Sequence, residues 1–310
     1  MAVSDKHVAI LLCTYNGQKY LSDQLDSIES QNHPNWSLYV SDDGSTDATK
    51  NILNEYKNSW SKRKIVLIDG PKKGFCHNFL SLACNQNINA DYYAYCDQDD
   101  IWLPNKLSAA LNKLISRENE SVANLYCGRT RYVDGWLNPC GKSPLFQRLP
   151  SFENALVQSI AGGNTMVFNH TAKKVIESVG AIDTISHDWW TYQLISGAGG
   201  VVSYDPLPYV LYRQHSGALI GGNRSILSKF KRLKLLSAGS FKAYTDATIR
   251  SLGKASHFLT DQNRTTLKKF EESRSMYFFE RLTLMNKIGI HRQKLLDNFV
   301  LVLLVLFKKF

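Results

Sequence analysis

Four short apolar runs, each leading to a polar cluster, constrain the fold of this chain more than any other feature. Residues 7–13 run into Thr14-Tyr15-Asn16-Gly17, and residues 36–41 into Asp42-Asp43-Gly44-Ser45. Residues 65–68 lead on to Lys72-Lys73-Gly74, and residues 92–96 into Asp97-Gln98-Asp99-Asp100. Apolar runs of this length, bounded by turn-forming residues, read as strands. Residues 20–31, 46–56 and 75–87 read as helices between them; in the first, Leu21, Gln24, Leu25 and Ile28 fall at helical spacing. Pro104 suits the first turn of a fourth helix over residues 104–115. The order βαβαβαβ with short links predicts an α/β fold with a mostly parallel, doubly wound sheet. Ligands of such sheets gather at the carboxyl ends of the strands, and every polar cluster named above lies at one.

Beyond residue 120 the alternation loosens. Residues 125–133, 164–168, 200–204 and 209–214 read as strands, and 170–179 and 189–195 as helices. They are expected to cover the ends of the first sheet. A boundary is expected near 223, dividing a catalytic domain of residues 1–223 (nucleotide-binding half 1–120, acceptor half 121–223) from a helical extension, 224–310. Charge divides at the same place. Residues 224–310 hold 18 of the 37 Lys and Arg and only 6 of the 27 Asp and Glu. The preceding part is near neutral, so the excess of basic residues belongs to the tail and suits an anionic surface. Without a recognised nucleic-acid motif, no nucleic acid is expected as a partner. A basic amphipathic tail fits an anionic membrane surface, and equally a helical bundle packed on the body. The apolar run 299–307 is too short to span a bilayer. The six cysteines include no C-x-x-C pair, and the start of the chain lacks the pattern of a signal peptide. Reduced thiols in a cytoplasmic protein are the expectation.

Asp97-Gln98-Asp99 carries the sharpest chemistry. Residues i and i+2 of an extended chain point to one side, so both carboxylates can face one ligand. If that ligand is a diphosphate, a cation must stand between like charges, and hard oxygen donors select Mg²⁺ or Mn²⁺. An acidic loop capping the next helix fits the same residues. Asp42 and Asp43 can accept a base N–H or a ribose hydroxyl, or form an Asx turn with Gly44 at positive φ. Thr14, Tyr15 and Asn16 offer a hydroxyl, a ring and an amide to a nucleoside. No G-x-G-x-x-G follows the first strand, which argues against a dehydrogenase.

In that order, Thr14-Tyr15-Asn16, Asp42-Asp43-Gly44-Ser45, Gly74 with Asn78-Phe79, and Asp97-Gln98-Asp99-Asp100 resemble family 2 glycosyltransferases of the GT-A fold. Within the family they look most like bacterial rhamnosyltransferase-type enzymes of O-antigen and cell-wall polysaccharide assembly. The similarity runs over residues 7–221. It implies that Thr14 and Asp43 contact the base, that Asp42 supports their loop, and that Asp97 meets the ribose side of the donor. It also implies that Asp99 binds the metal and that residues 72–74 and Asn78 lie near the nucleotide. His187-Asp188-Trp189-Trp190 looks like the family's acidic motif at a helix start, which makes Asp188 the catalytic base. His187 is expected to lie on the surface or to pack rather than to take part in the chemistry, and Trp190 to belong to the core. His215 becomes a candidate metal or diphosphate contact, with Arg213 near the phosphate charge. Relatives often carry Asn shortly after that His, whereas Ser216-Gly217 follows here. Gly162-Gly163-Asn164 fits either a close backbone approach to an acceptor or a plain turn.

The resemblance implies an inverting transferase moving sugar, with dTDP-rhamnose the expected donor and a lipid-linked saccharide at the inner face of the plasma membrane the expected acceptor. A UDP-hexose-dependent transferase is the nearest alternative. A non-catalytic nucleotide- or membrane-binding module on the same fold is a third.

Overall fold

The computed structural model describes residues 3–60, 64–116, 119–214 and 240–307. Strands β1 (Val8–Thr14), β2 (Trp36–Asp42), β3 (Ile65–Asp69) and β4 (Tyr92–Cys96) alternate with helices α1 (Leu21–Glu29), α2 (Thr49–Ser59) and α3 (Phe75–Ala83). A two-residue β5 (Ile101–Trp102) precedes α4 (Lys106–Ile115). The second half adds β6 (Asn124–Gly128), β7 (Arg131–Val133), β8 (Pro139–Lys142), α5 (Phe152–Ala155), β9 (Val167–Asn169), α6 (His170–Val179), α7 (His187–Gly197), β10 (Val201–Asp205) and β11 (Val210–Arg213).

Seven strands form one sheet in the order β10-β6-β9-β4-β1-β2-β3. All its pairings are parallel except those of β9, which runs against β4 and β6. Alternate residues of β1 enter opposite cores. Val8, Ile10 and Leu12 pack with Leu21, Leu25 and Ile28 of α1 and Leu107 and Leu111 of α4. Ala9, Leu11 and Cys13 pack with Phe79 and Leu80 of α3 and with Trp190 and Leu194 of α7. A strand covered on both faces has no polar side, which is why β1 and β4 read as unbroken apolar runs and β2 keeps only small Ser37 and Ser41 among its apolar residues before Asp42.

Two differences from the sequence reading have physical causes. The expected strand over 125–133 is two strands in two sheets: β6 joins the large sheet, while β7 enters a four-stranded sheet ordered β5-β11-β7-β8. At the break, the Arg129 N–H donates to Asp205 O, and the Thr130 N–H to Ser143 Oγ. The second helix begins three residues later than expected because Asp47 accepts from the Thr49 N–H and hydroxyl, which satisfies a first-turn donor.

The last described segment forms α8 (Ser240–Lys254), α9 (Asp261–Ser273), α10 (Phe278–Lys287) and α11 (Leu295–Leu306). Phe241, Leu252, Leu267, Phe270, Met285, Leu301 and Val305 extend the core that holds α3 and α7. The buried Arg281 guanidinium donates to the carbonyls of Ser273, Arg274, Met276 and Val305. The boundary expected near 223 lies outside the described residues.

Candidate active site

The order of strands in the sheet places β1 between β2 and β4. The chain moves from β1 to β2 and β3 on one side, then crosses to β4 on the other. The carboxyl ends of β1 and β4 therefore flank a topological switch point, where such sheets open a crevice. Thr14 ends β1, and Asp97 follows β4 directly.

The first two clusters bind each other. The Thr14 hydroxyl donates to Asp42 Oδ2 at 2.8 Å, and the Ser45 hydroxyl donates to the same oxygen at 2.6 Å. Asp42 Oδ1 accepts from Ser45 N at 2.9 Å, and Gly44 takes φ +97°. Asp42 thus closes an Asx turn as well as ending its strand. Burial pushes its carboxyl up, but the bonds from Ser45, Thr14 and Gly44 outweigh this and hold it below the usual range. Asp43 accepts the N–H of Lys72 at 2.6 Å on one oxygen and that of Gly74 at 2.8 Å on the other. It draws the 72–74 loop over the end of β2. Asn78 is buried, and its amide donates to Ser41 O at 3.0 Å, under the turn. Asn16 joins the same network through Thr46 N at 2.9 Å, while the Tyr15 ring is exposed.

Gln98 had no role in the sequence reading and turns out to join the two crevice walls. Its Oε1 accepts from Tyr15 N at 2.9 Å, and its Nε2 donates to Tyr15 O at 3.0 Å. A residue between two acidic side chains gives no sequence signal for such a link, which needs the β1–β4 adjacency.

Asp97 is half-buried, Asp100 fully buried. Burial, then the charges of Asp100, Asp99 and Asp188, push the Asp97 carboxyl well up. Burial and Asp99 push Asp100 up to about 8, against bonds from the Asn164 amide and Arg213 N. Lys106 lies behind this loop, buried with its ammonium 3.3 Å from the Trp102 ring centroid. Burial brings it down to about 7, although Cys96, Asp100 and Asp97 pull the other way.

Arg213 corrects an expectation. Its guanidinium donates to Asp99 O, Gly135 O and Asp23 Oδ2, and lies 4.3 Å from the Tyr20 ring centroid. A buried fork so committed braces the acidic loop and is not presented to a phosphate. His215 lies outside the described residues.

Asp188 stands in the first turn of α7. Its Oδ1 accepts from the Ser186 hydroxyl and from Trp189 N at 2.7 Å, and its Oδ2 from Gly163 N at 3.2 Å. These bonds fix one rotamer and leave lone pairs on Oδ2. Trp190 is wholly buried. His187 packs as expected, stacked on Phe79 at 3.8 Å with both ring nitrogens unpartnered among the described residues. Burial lowers it to about 4, against the pull of Asp188. Gly163 serves this packing, because a Cβ there would stand 2.3 Å from His187 Nε2. Gly163→Ala is therefore expected to cost about 1–3 kcal/mol of stability. Chemical denaturation measures that loss; an unchanged midpoint would show that the imidazole has room to move.

The acidic loop thus feels Asp188, which adds to burial, Asp100 and Asp99 in raising Asp97, while Cys13 beneath it is pushed up by burial, Asp97, Cys96 and Asp43. Among the described residues, no group of three or more His, Cys, Asp or Glu side chains is arranged as a metal cage.

Residues 9–173 match the family model described as Glycosyl transferase family 2. The chain belongs to that family. The matched region runs from β1 to the first turn of α6, which includes the switch point and the acidic loop. The chain is 31% identical to the dTDP-rhamnosyl transferase RfbG of Shigella flexneri, over 73% of this chain and 78% of that protein. Its fold is shared with the S. aureus TarS 1-349 structure in complex with UDP-GlcNAc, at TM-score 0.56 and 15% identity over 96% of this chain and 90% of that one. The mannosyltransferase PcManGT from Pyrobaculum calidifontis, in complex with GDP-Man and Mn²⁺, superposes at TM-score 0.51 and 15% identity over 97% and 85%. The expected GT-A fold, with its mostly parallel sheet and C-terminal helices, is the observed one.

Proposed function

We propose that this family 2 glycosyltransferase is an inverting, divalent-cation-dependent enzyme that moves rhamnose from dTDP-rhamnose. The acceptor is a lipid-linked saccharide at the cytoplasmic leaflet, in the assembly of a bacterial surface polysaccharide such as O-antigen. One observation carries the reading: Asp43, the acidic loop after β4 and Asp188 come from distant parts of the chain and are linked around the sheet's switch point, Asp43 N bonding to Thr14 O, Gln98 to Tyr15, Asn164 to Asp100 and Gly163 N to Asp188. The rhamnosyl transferase relative supports the choice of donor.

Asp99 fits a cation by its chemistry, with Asp97 beside it toward the ribose of the donor. It is a hard oxygen donor in a loop whose like charges raise Asp97, and Mg²⁺ sites commonly take one or two carboxylates together with substrate phosphates. When bound, a divalent cation offsets the charge that grows on the departing diphosphate. His215 is a further candidate for that ion. Thr14, Tyr15, Asn16, Asp42 and Asp43 shape the nucleoside end. Each carboxylate oxygen has two lone pairs, so Asp43 can accept a base N–H while it holds Lys72 and Gly74. Asn78 and Gly74 keep that loop in place from below. The acceptor hydroxyl attacks the anomeric carbon as the bond to the diphosphate breaks, and its proton passes to Asp188.

Nucleotide release from a panel of sugar nucleotides tests the donor. Turnover with dTDP-rhamnose is expected to exceed that with UDP-glucose or UDP-galactose by about tenfold or more, the scale on which one missing or added substrate contact discriminates. A preference for a UDP-hexose would overturn the donor assignment.

A further inference from the structure

The last helix is apolar on two faces. Leu301, Leu304 and Val305 of α11 enter the core, as an amphipathic helix requires. Yet Leu295 is 81% exposed, Leu296 79%, Phe299 62% and Phe307 64%, and Leu303 and Leu306 are exposed beside them. Positions 295, 296, 299, 303, 306 and 307 recur at intervals of three and four, so they form one stripe along the helix. Single exposed leucines are ordinary, but a contiguous row of large side chains marks a binding surface. The neighbouring α10 exposes Phe279, and Tyr277 just before it.

We propose that this face of α11 docks the protein on an anionic phospholipid leaflet, with the helix lying in the headgroup region. The inference rests on the transferase reading only for the location of the acceptor. Charge names the occupant. Exposed Lys294 stands at the start of the stripe, and exposed Lys287 ends the helix before it. The whole segment from 224 carries 18 basic against 6 acidic side chains. A second copy of the chain would bring two such segments face to face, against like-charge repulsion, whereas an acidic leaflet attracts them. Length sets the posture. The 12 residues of α11 reach only about 18 Å, well short of the roughly 30 Å of hydrocarbon a spanning helix crosses. No helix of the described residues is long and apolar enough to cross a membrane.

The stripe is also tied to the catalytic body. Gln293 N donates to Gln158 Oε1 at 2.7 Å, the Asn154 amide to His291 O at 3.0 Å, and Arg148 N to Gln293 Oε1 at 3.1 Å. Asn154 belongs to α5, which packs on α7, the helix that carries Asp188. Docking through α11 therefore sets the height of Asp188 above the leaflet, where the acceptor's sugar projects.

Flotation of the full chain with vesicles tests this. The chain is expected to float with vesicles of phosphatidylcholine mixed with phosphatidylglycerol, and far less with phosphatidylcholine alone or in high salt. The double variant Leu296→Gln, Phe299→Gln removes two large apolar groups from an exposed face, so its fold, read by circular dichroism, should hold. Its vesicle affinity should fall by about tenfold or more. Failure of the wild type to float on acidic vesicles would overturn the proposal, as would undiminished floating of the variant or a wild-type dimer that the variant dissolves. Metal-dependent release of nucleotide is measured without vesicles, so its loss would strike the transferase reading and leave docking standing. The reverse result would do the opposite.

Discussion

Asp188→Asn is expected to lower kcat by about 10²–10⁴, the usual contribution of a positioned general base, while the donor binds with unchanged affinity. The geometry separates the two effects. In the proposed reading Asp188 serves the acceptor; Ser186, Trp189 N and Gly163 N hold it, and the bonds that organise the 14–16, 42–45 and 72–74 loops run through other residues. Asparagine can keep its one oxygen toward Trp189 N and the Ser186 hydroxyl, so the first turn of α7 should stay closed, while the Gly163 N–H loses its acceptor. What disappears is the ability to take a proton from the attacking hydroxyl. Stopped-assay kinetics with saturating donor measure the fall, and calorimetry with dTDP measures the binding. Full turnover in the variant would remove Asp188 from the mechanism. A collapse of dTDP affinity would instead make it part of the donor site.

Asp99→Ala is expected to be more severe, because it should remove donor binding and turnover together. A cation at a departing diphosphate supplies several kcal/mol, so a loss of about 10³-fold or more in kcat/KM is expected. Asp99 raises both Asp97 and Asp100 by repulsion, and the Asn164 bond to Asp100 and the Gln98 bonds to Tyr15 hold the loop from either side of it, so the variant should still fold. Circular dichroism checks this, and an inactive variant that is also unfolded would point to a structural carboxylate.

Much of the sheet was legible because strands buried on both faces leave an unmistakable run of apolar residues, and because the turns that end them are polar. The edge pieces β5 and β8 were not, since two to four residues with mixed exposure carry no period. The site was legible as a set of places, less so as a set of partners. Thr14 and Asp42 stand where a ligand would come, yet they bond to each other. Arg213 ends β11 as foreseen, but its charge is turned inward to Asp23 and the Asp99 carbonyl. Whether a polar side chain at a strand end faces a ligand or a neighbouring loop depends on contacts between residues far apart in sequence. Gln98 with Tyr15 and Asn164 with Asp100 are of this kind. No spacing rule reaches across such separations.

The central claim is that one crevice brings a nucleoside diphosphate and a divalent cation together on Asp97 and Asp99. Calorimetric titration of dTDP into the protein, with Mn²⁺ and then with chelator, tests it most directly. Saturable binding that needs Mn²⁺ in the wild type and is absent from Asp99→Ala is the predicted result. Equal binding with and without the ion, or binding that survives in Asp99→Ala, would contradict the account.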